Sequence, residues 1–168
     1  MVEPIILFER WFVQPLVKLR ELPNGDGGFV ALATSCFLYE RYAVAVIMKL
    51  GGKANQEGKI EQFTTDFDVD KITATNFWAV IRDGILHQGM PKTNEQRKRS
   101  LPNWMIRSGY KPVWMGRYKG SDTLFVDPWL FTDKVLQLWN NNPSLIDQNK
   151  SFPWANVVPI AVNQKEEQ

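Results

Sequence analysis

Residues 82–87 read Arg-Asp-Gly-Ile-Leu-His, and His87 is the only histidine in 168 residues. Histidine titrates nearest neutrality of all side chains, which suits it to carry a proton in a reaction. An arginine fork grips two oxygens of an anion and keeps its charge throughout. Arg82 and His87 thus offer a fixed cation and a proton carrier, with Asp83 beside them to orient either group. Other chemistries lack their parts. One histidine and one cysteine, Cys36, leave no histidine- or thiolate-rich zinc site. A serine triad would need His87 together with a Gly-x-Ser-x-Gly elbow, and that elbow is absent. The stretch DFDVD at 66–70 opens like a calcium loop, but Lys71 and Phe77 stand where an EF-hand needs Gly and Glu. PNGDGG at 23–28 lacks the lysine and hydroxyl of a phosphate loop and reads as a turn between helices. No metal and no cofactor is called for.

The elements that must position the pair are helical. Pro4 is placed as the first residue of a helix running to about Leu22, kinked at Pro15. A second helix spans about Gly28 to Leu50 and stops at Gly51-Gly52. Its apolar seam is Phe29, Ala33, Cys36, Glu40, Ala43, Ile47 and Leu50, in alternating steps of four and three. Glu40 falls on that stripe, where a buried carboxylate needs a partner or takes up a proton. A structural hydrogen bond is the first reading of it, and orienting a cation in a site is the second. A short helix ends near Phe67, and Asp68 or Asp70 caps the next, roughly Lys71 to Gln88. Ala74, Phe77, Trp78, Ile81 and Ile85 form its core face, and Gly89 with Pro91 ends it. Five residues on a helix subtend about 140°, so Arg82 and His87 do not share a line, but they can flank one cleft.

An irregular stretch is expected from there to about Gly109, then a β-hairpin near residues 112–126 turning at Lys119-Gly120-Ser121. Asp127 and Pro128 open a helix through about Asn140. The fold class is therefore mainly α: a bundle of four to five helices with a small hairpin insertion. Residues 1–142 form one domain carrying a basic loop and hairpin at 90–126. Residues 143–168, with three prolines and a QKEEQ end, are expected as an extended tail.

Composition places the chain among globular proteins, with 44% hydrophobic residues. Glu3 and Glu9 sit where a signal peptide carries positive charge. Residues 29–48 are the most apolar run. Glu40 and Arg41 near its centre would each cost roughly 2.5 to 3.5 kcal/mol in a bilayer, so it is read as a buried helix of a cytoplasmic protein. The net charge of +2 is unevenly spread. Residues 88–121 hold eight cations against one acid, a net of +7, which leaves −5 for the remainder. Such an asymmetry points to an anionic partner. Lys92, Arg97, Lys98 and Arg99 are the candidate substrate-binding cations, the alternative being a merely solvated run. Trp104, Tyr110, Trp114 and Tyr118 interleave with the segment's cations, and the preferred reading is that they pack the hairpin onto the bundle.

Arg-x4-His with a polar residue straight after the arginine, on a late helix of a small bundle, resembles the signature of the HEPN superfamily. The resemblance covers about residues 1–90 in architecture and Arg82, Asp83 and His87 in chemistry. It implies a metal-independent endoribonuclease cleaving single-stranded RNA, in a toxin or phage-defence setting, with a protein antitoxin as a candidate partner. His87 would take the proton of the 2′-hydroxyl and Arg82 would fork onto the phosphoryl oxygens, leaving a 2′,3′-cyclic phosphate. The family's cleft typically forms between two copies, so a homodimer would bring a second His87 and a second Arg82. The rival reading is a catalytically silent HEPN-like dimer that binds RNA or protein. It is favoured by Gly84, a helix weakener inside the motif, and by the absence of a second acid.

Overall fold

A computed structural model describes residues 3–92 and 101–146. Helix α1 covers residues 4–19: α-helical Pro4–Phe8, a π-helical stretch Glu9–Val13, then α-helical Gln14–Leu19. The distortion lies just ahead of Pro15, whose missing N–H and bulky ring break the regular ladder. Helix α2 is Gly28–Lys49 and α3 is Gln56–Phe67. Helix α4 covers 71–88, with α-helical ends Lys71–Asn76 and Asp83–Gln88 around a π-helical stretch Phe77–Arg82. Helix α5 is Pro128–Asn140. Local caps explain these boundaries. Asn55, Asp70 and Asp127 each accept backbone N–H groups of the helix that follows. Gly89, at φ +73°, closes α4.

Helix α2 runs along α5 and α3 and is buried on more than one side. Ser35 donates to Thr132 at 2.9 Å, and the Trp139 indole donates to the Leu38 carbonyl at 3.2 Å. The single stripe expected for this helix is therefore too narrow. Leu32, Ser35, Leu38, Tyr39 and Tyr42 are buried beside Cys36, Ala43 and Ile47. Leu50 is a correction: it lies past the helix end, 78% exposed. Among the described residues α2 is the one helix long and apolar enough to cross a membrane, and 56% of its most apolar window is buried inside the protein. Across the core, neighbouring rings of Phe63, Phe67, Phe77 and Phe131 stack at 4.3 to 5.0 Å, with Tyr39 edge-on to Phe63 at 5.3 Å. All five residues expected on the core face of α4 are buried.

The expected hairpin is one part of a three-stranded sheet: β1 Asn103–Ile106, β2 Val113–Tyr118 and β3 Ser121–Val126, in the order β1-β3-β2. Lys119 and Gly120, both at positive φ, make the two-residue turn between β2 and β3. Strand β1 corrects the expectation of irregular chain up to Gly109. It pairs parallel with β3, a long-range match that no local turn announces. A second correction concerns the tail. Pro143–Leu145 form a 3-10 turn, and Leu145 and Ile146 are fully buried. The packed domain thus passes the expected boundary at 142, because these two side chains complete the core beside α2 and α5. The rest of the tail, and with it Arg97, Lys98 and Arg99 of the basic loop, lies outside the described residues.

Candidate functional site

The chain brings five charges together in alternating sign. Lys59 on α3 donates to Glu40 on α2 at 3.0 Å, and Glu40 also accepts a hydrogen bond from Arg82 on α4. Arg82 donates its other terminal nitrogen to Asp83 at 2.7 Å, and Asp83 lies 3.8 Å from the Lys92 ammonium. The floor of this ladder is Trp78, with the Arg82 guanidinium 5.3 Å and the Lys59 ammonium 5.4 Å from its ring centre. The Arg82 side chain is only 15% exposed. Its Nε, like the indole nitrogen of Trp78, is buried without a hydrogen-bond partner among the described residues.

The electrostatics follow from this packing. Burial pushes the Glu40 carboxyl up, but the hydrogen bonds from Arg82 and Lys59 outweigh it and hold the group below the usual glutamate range. For Arg82, burial works against the charge and the two carboxylates more than restore it. Cys36 lies beneath, and burial raises its thiol far above the ordinary range, so it is an inert core residue. Glu40 is thus a structural hydrogen-bond acceptor, and the same contact fixes the direction of the Arg82 guanidinium.

His87 has the opposite surroundings. It stands exposed on the last turn of α4, with no hydrogen bond or ion pair among the described residues. The 140° between the two positions turns Arg82 inward against α2 and leaves the imidazole outward. Asp83 therefore positions Arg82, and no contact joins it to His87. Gly84 has a packing reason. The chain after Gly89 folds back across it, with the Lys92 N–H bonded to the Val80 carbonyl at 3.0 Å. A Cβ on Gly84 would lie 2.6 Å from the Lys92 nitrogen and the Met90 oxygen. The glycine that counted toward a silent motif is thus required by the close approach of backbone.

Glu40 also lines a groove of about 390 Å³ on the outer side of α2, together with Phe37, Arg41 and Val44. Phe37, Val30 and Met48 are exposed along the same helix, at 53%, 51% and 46%. No protein-family model, no curated protein and no solved structure matches the chain.

The other sequence candidates divide. Lys92 is drawn into the ladder, and its carbonyl accepts from the Trp104 indole at 3.1 Å. Of the four interleaved aromatics, Trp104 packs against the core as expected, whereas Trp114 stacks on Phe125 at 5.1 Å on the other face of the sheet, a correction to the expected packing onto the bundle. Tyr110 and Tyr118 correct the expected packing, at 75% and 41% exposed. Sequence reasoning missed Lys59 and the role of Trp78 as a floor. No spacing relates position 59 to 40 or 82, because the three stand on separate helices.

Proposed function

We propose that the chain is a metal-independent endoribonuclease of HEPN type, cleaving single-stranded RNA in the cytoplasm as a homodimer. The observation that carries this reading is the convergence of Glu40, Arg82 and Asp83, of which Glu40 also lines the α2 groove, with His87 open to solvent further along α4. A cation held by two carboxylates has its direction fixed before substrate arrives, so little reorganisation is left for the reaction. An exposed imidazole is accessible to a ribose hydroxyl. His87 takes the 2′-hydroxyl proton, the 2′-oxygen attacks phosphorus, and the 5′-oxygen leaves. The bond made closes a 2′,3′-cyclic phosphate and the bond broken frees a 5′-hydroxyl end. Arg82 offers the phosphoryl oxygens the remaining N–H groups of its two terminal nitrogens, its Nε–H being buried.

The leaving oxygen needs a proton, and a second copy supplies a second imidazole. The α2 face supports such a copy. A two-fold interface joins one patch to itself, and this patch sets Glu40 and Arg41 side by side between exposed apolar residues. A toxin or phage-defence role, with a protein antitoxin as partner, comes from the family resemblance alone.

A second reading, the silent dimeric module binding RNA or protein, rests on the same ladder. Two carboxylates already occupy Arg82, and nothing fixes the imidazole of His87. The experiment is cleavage of an end-labelled single-stranded RNA in excess EDTA, with His87→Ala alongside. The enzyme reading expects cyclic-phosphate ends from the wild type and a loss of about a hundredfold or more in the variant. Equal cleavage by both proteins, or none by either across several RNAs, sinks it in favour of the silent module. A strictly monomeric protein on sizing overturns the shared site.

A further inference from the structure

The face of the sheet turned away from the bundle carries a stepped aromatic stack. Val113, Leu124 and Val126 point into the core, so in the paired register Trp114, Gly116 and Phe125 lie on the opposite face. Trp114 lies parallel on Phe125, with centroids 5.1 Å apart and planes 9° apart, and Tyr110 leans on Trp114 at 5.4 Å. The stack is held from both sides. Gly116 lets Phe125 settle, since a Cβ there would meet the ring at 3.1 Å. Gly109 lies flat against the Trp114 ring, where a Cβ would come within 2.1 Å. The Gly109 N–H is in turn anchored on the buried Asp127 carboxylate at 2.8 Å. Burial decreases outward, from Phe125 at 6% to Tyr110 at 75% exposed. The outermost ring is therefore nearly uncovered, resting on Trp114.

The segment that carries the stack is positively charged. Arg107, Lys111, Arg117 and Lys119 are exposed, against Asp122 as the single acid of residues 101–126, a net of +3. Lys119 sits 5.5 Å over the ring of the exposed Tyr118, and Arg117 reaches Asp122 only at 3.9 Å with both side chains 77% exposed.

We infer that this outer sheet face is a binding platform for single-stranded nucleic acid, Tyr110 stacking on an unpaired base while Lys111 next to it, and Arg107 and Lys119 further along the segment, neutralise the phosphates of the strand. An open aromatic face accepts any base but cannot reach one inside a duplex, and cations spread along the segment follow a flexible backbone. A protein partner would fit the rings without needing the charge. The platform deepens the reading above by naming where the strand is held, and it rests on that reading only for the strand being RNA.

The test uses the full chain and a fluorescent 2′-O-methyl oligouridine, which lacks the free hydroxyl needed for cleavage and so reports binding alone. Anisotropy should give saturable binding that Tyr110→Ala weakens about tenfold or more. Lys111→Gln with Lys119→Gln should also make the salt dependence shallower, by roughly 0.7 per phosphate contact removed. Circular dichroism checks that these surface variants keep the fold. A duplex that binds as tightly as the single strand, no binding by the wild type, or Tyr110→Ala binding unchanged would each overturn the platform. Tyr110-dependent binding without any RNA cleavage would count against the Arg82–His87 enzyme and support the platform. Cleavage that depends on His87 and ignores Tyr110 would do the reverse.

Discussion

Arg82 and His87 stand five residues apart on one helix and live in opposite surroundings. The arginine is buried against α2, bound by two carboxylates from different elements and laid over an indole. The histidine is in water with no partner among the described residues. One group is positioned by the fold and contributes to it. The other costs the fold nothing and is left for whatever approaches. A sequence motif treats the two as a matched pair, whereas the tertiary structure assigns them different work.

That contrast breaks most directly on stability. Arg82→Met would leave Glu40 with Lys59 alone, Asp83 with Lys92 alone, and Trp78 with one cation over its ring in place of two. Losing one partner from a part-buried ion network costs about 3 kcal/mol, read as a lower urea midpoint. In the same assay His87→Ala should stay within about 0.5 kcal/mol of the wild type, as surface changes do. Equal losses would mean that His87 is held by contacts like those of Arg82, and the division of labour would fail.

Gly84 sharpens the same point between the two residues. Helix propensity alone expects Gly84→Ala to stabilise by about 1 kcal/mol. The backbone 2.6 Å from the added Cβ expects the opposite, a loss of about 1 to 3 kcal/mol from overpacking. Thermal melting decides the sign, and a raised melting temperature would remove the fold-back of residues 90–92 onto α4.

The smallest effect is on pH dependence. The Glu40 carboxyl is held below its ordinary value on folding. Its contribution is therefore complete above about pH 4.3, the unfolded value, and is lost as the pH falls through the lower folded value. Asp66 runs the other way. Burial raises its carboxyl more than the hydrogen bonds from Tyr39 and Gln62 lower it. Its share is present in acid and fades as the pH rises through the folded value. Between about pH 5 and 3 the wild type should lose stability more steeply than Glu40→Gln. Parallel declines would show that the ladder's charge contributes little.

Much of the fold was legible because its signals are local. Pro4, Asp70, Gly89 and the Asp127-Pro128 pair set helix ends through caps that act within one turn. The 3.6-residue period placed Ala74, Phe77, Trp78, Ile81 and Ile85 on the buried face of α4. Lys119-Gly120 turned the hairpin through backbone torsions of two residues. For the candidate site, Arg82, Asp83, His87 and Glu40 were singled out by type and spacing, and the fold joins Glu40, Arg82 and Asp83 while leaving His87 apart.

Tertiary structure decided what joins segments distant in the chain. It added β1 beside β3, closed the core with Leu145 and Ile146, and set Lys59 against Glu40 and both cations over Trp78. It also turned Trp104 inward and left Tyr110 in solvent, although both were read from sequence as packing residues. Spacing along a chain reports which side chains share a face of one helix or strand. Which faces then meet depends on how whole elements fill space and pair their buried polar groups, and no stretch of a dozen residues contains that.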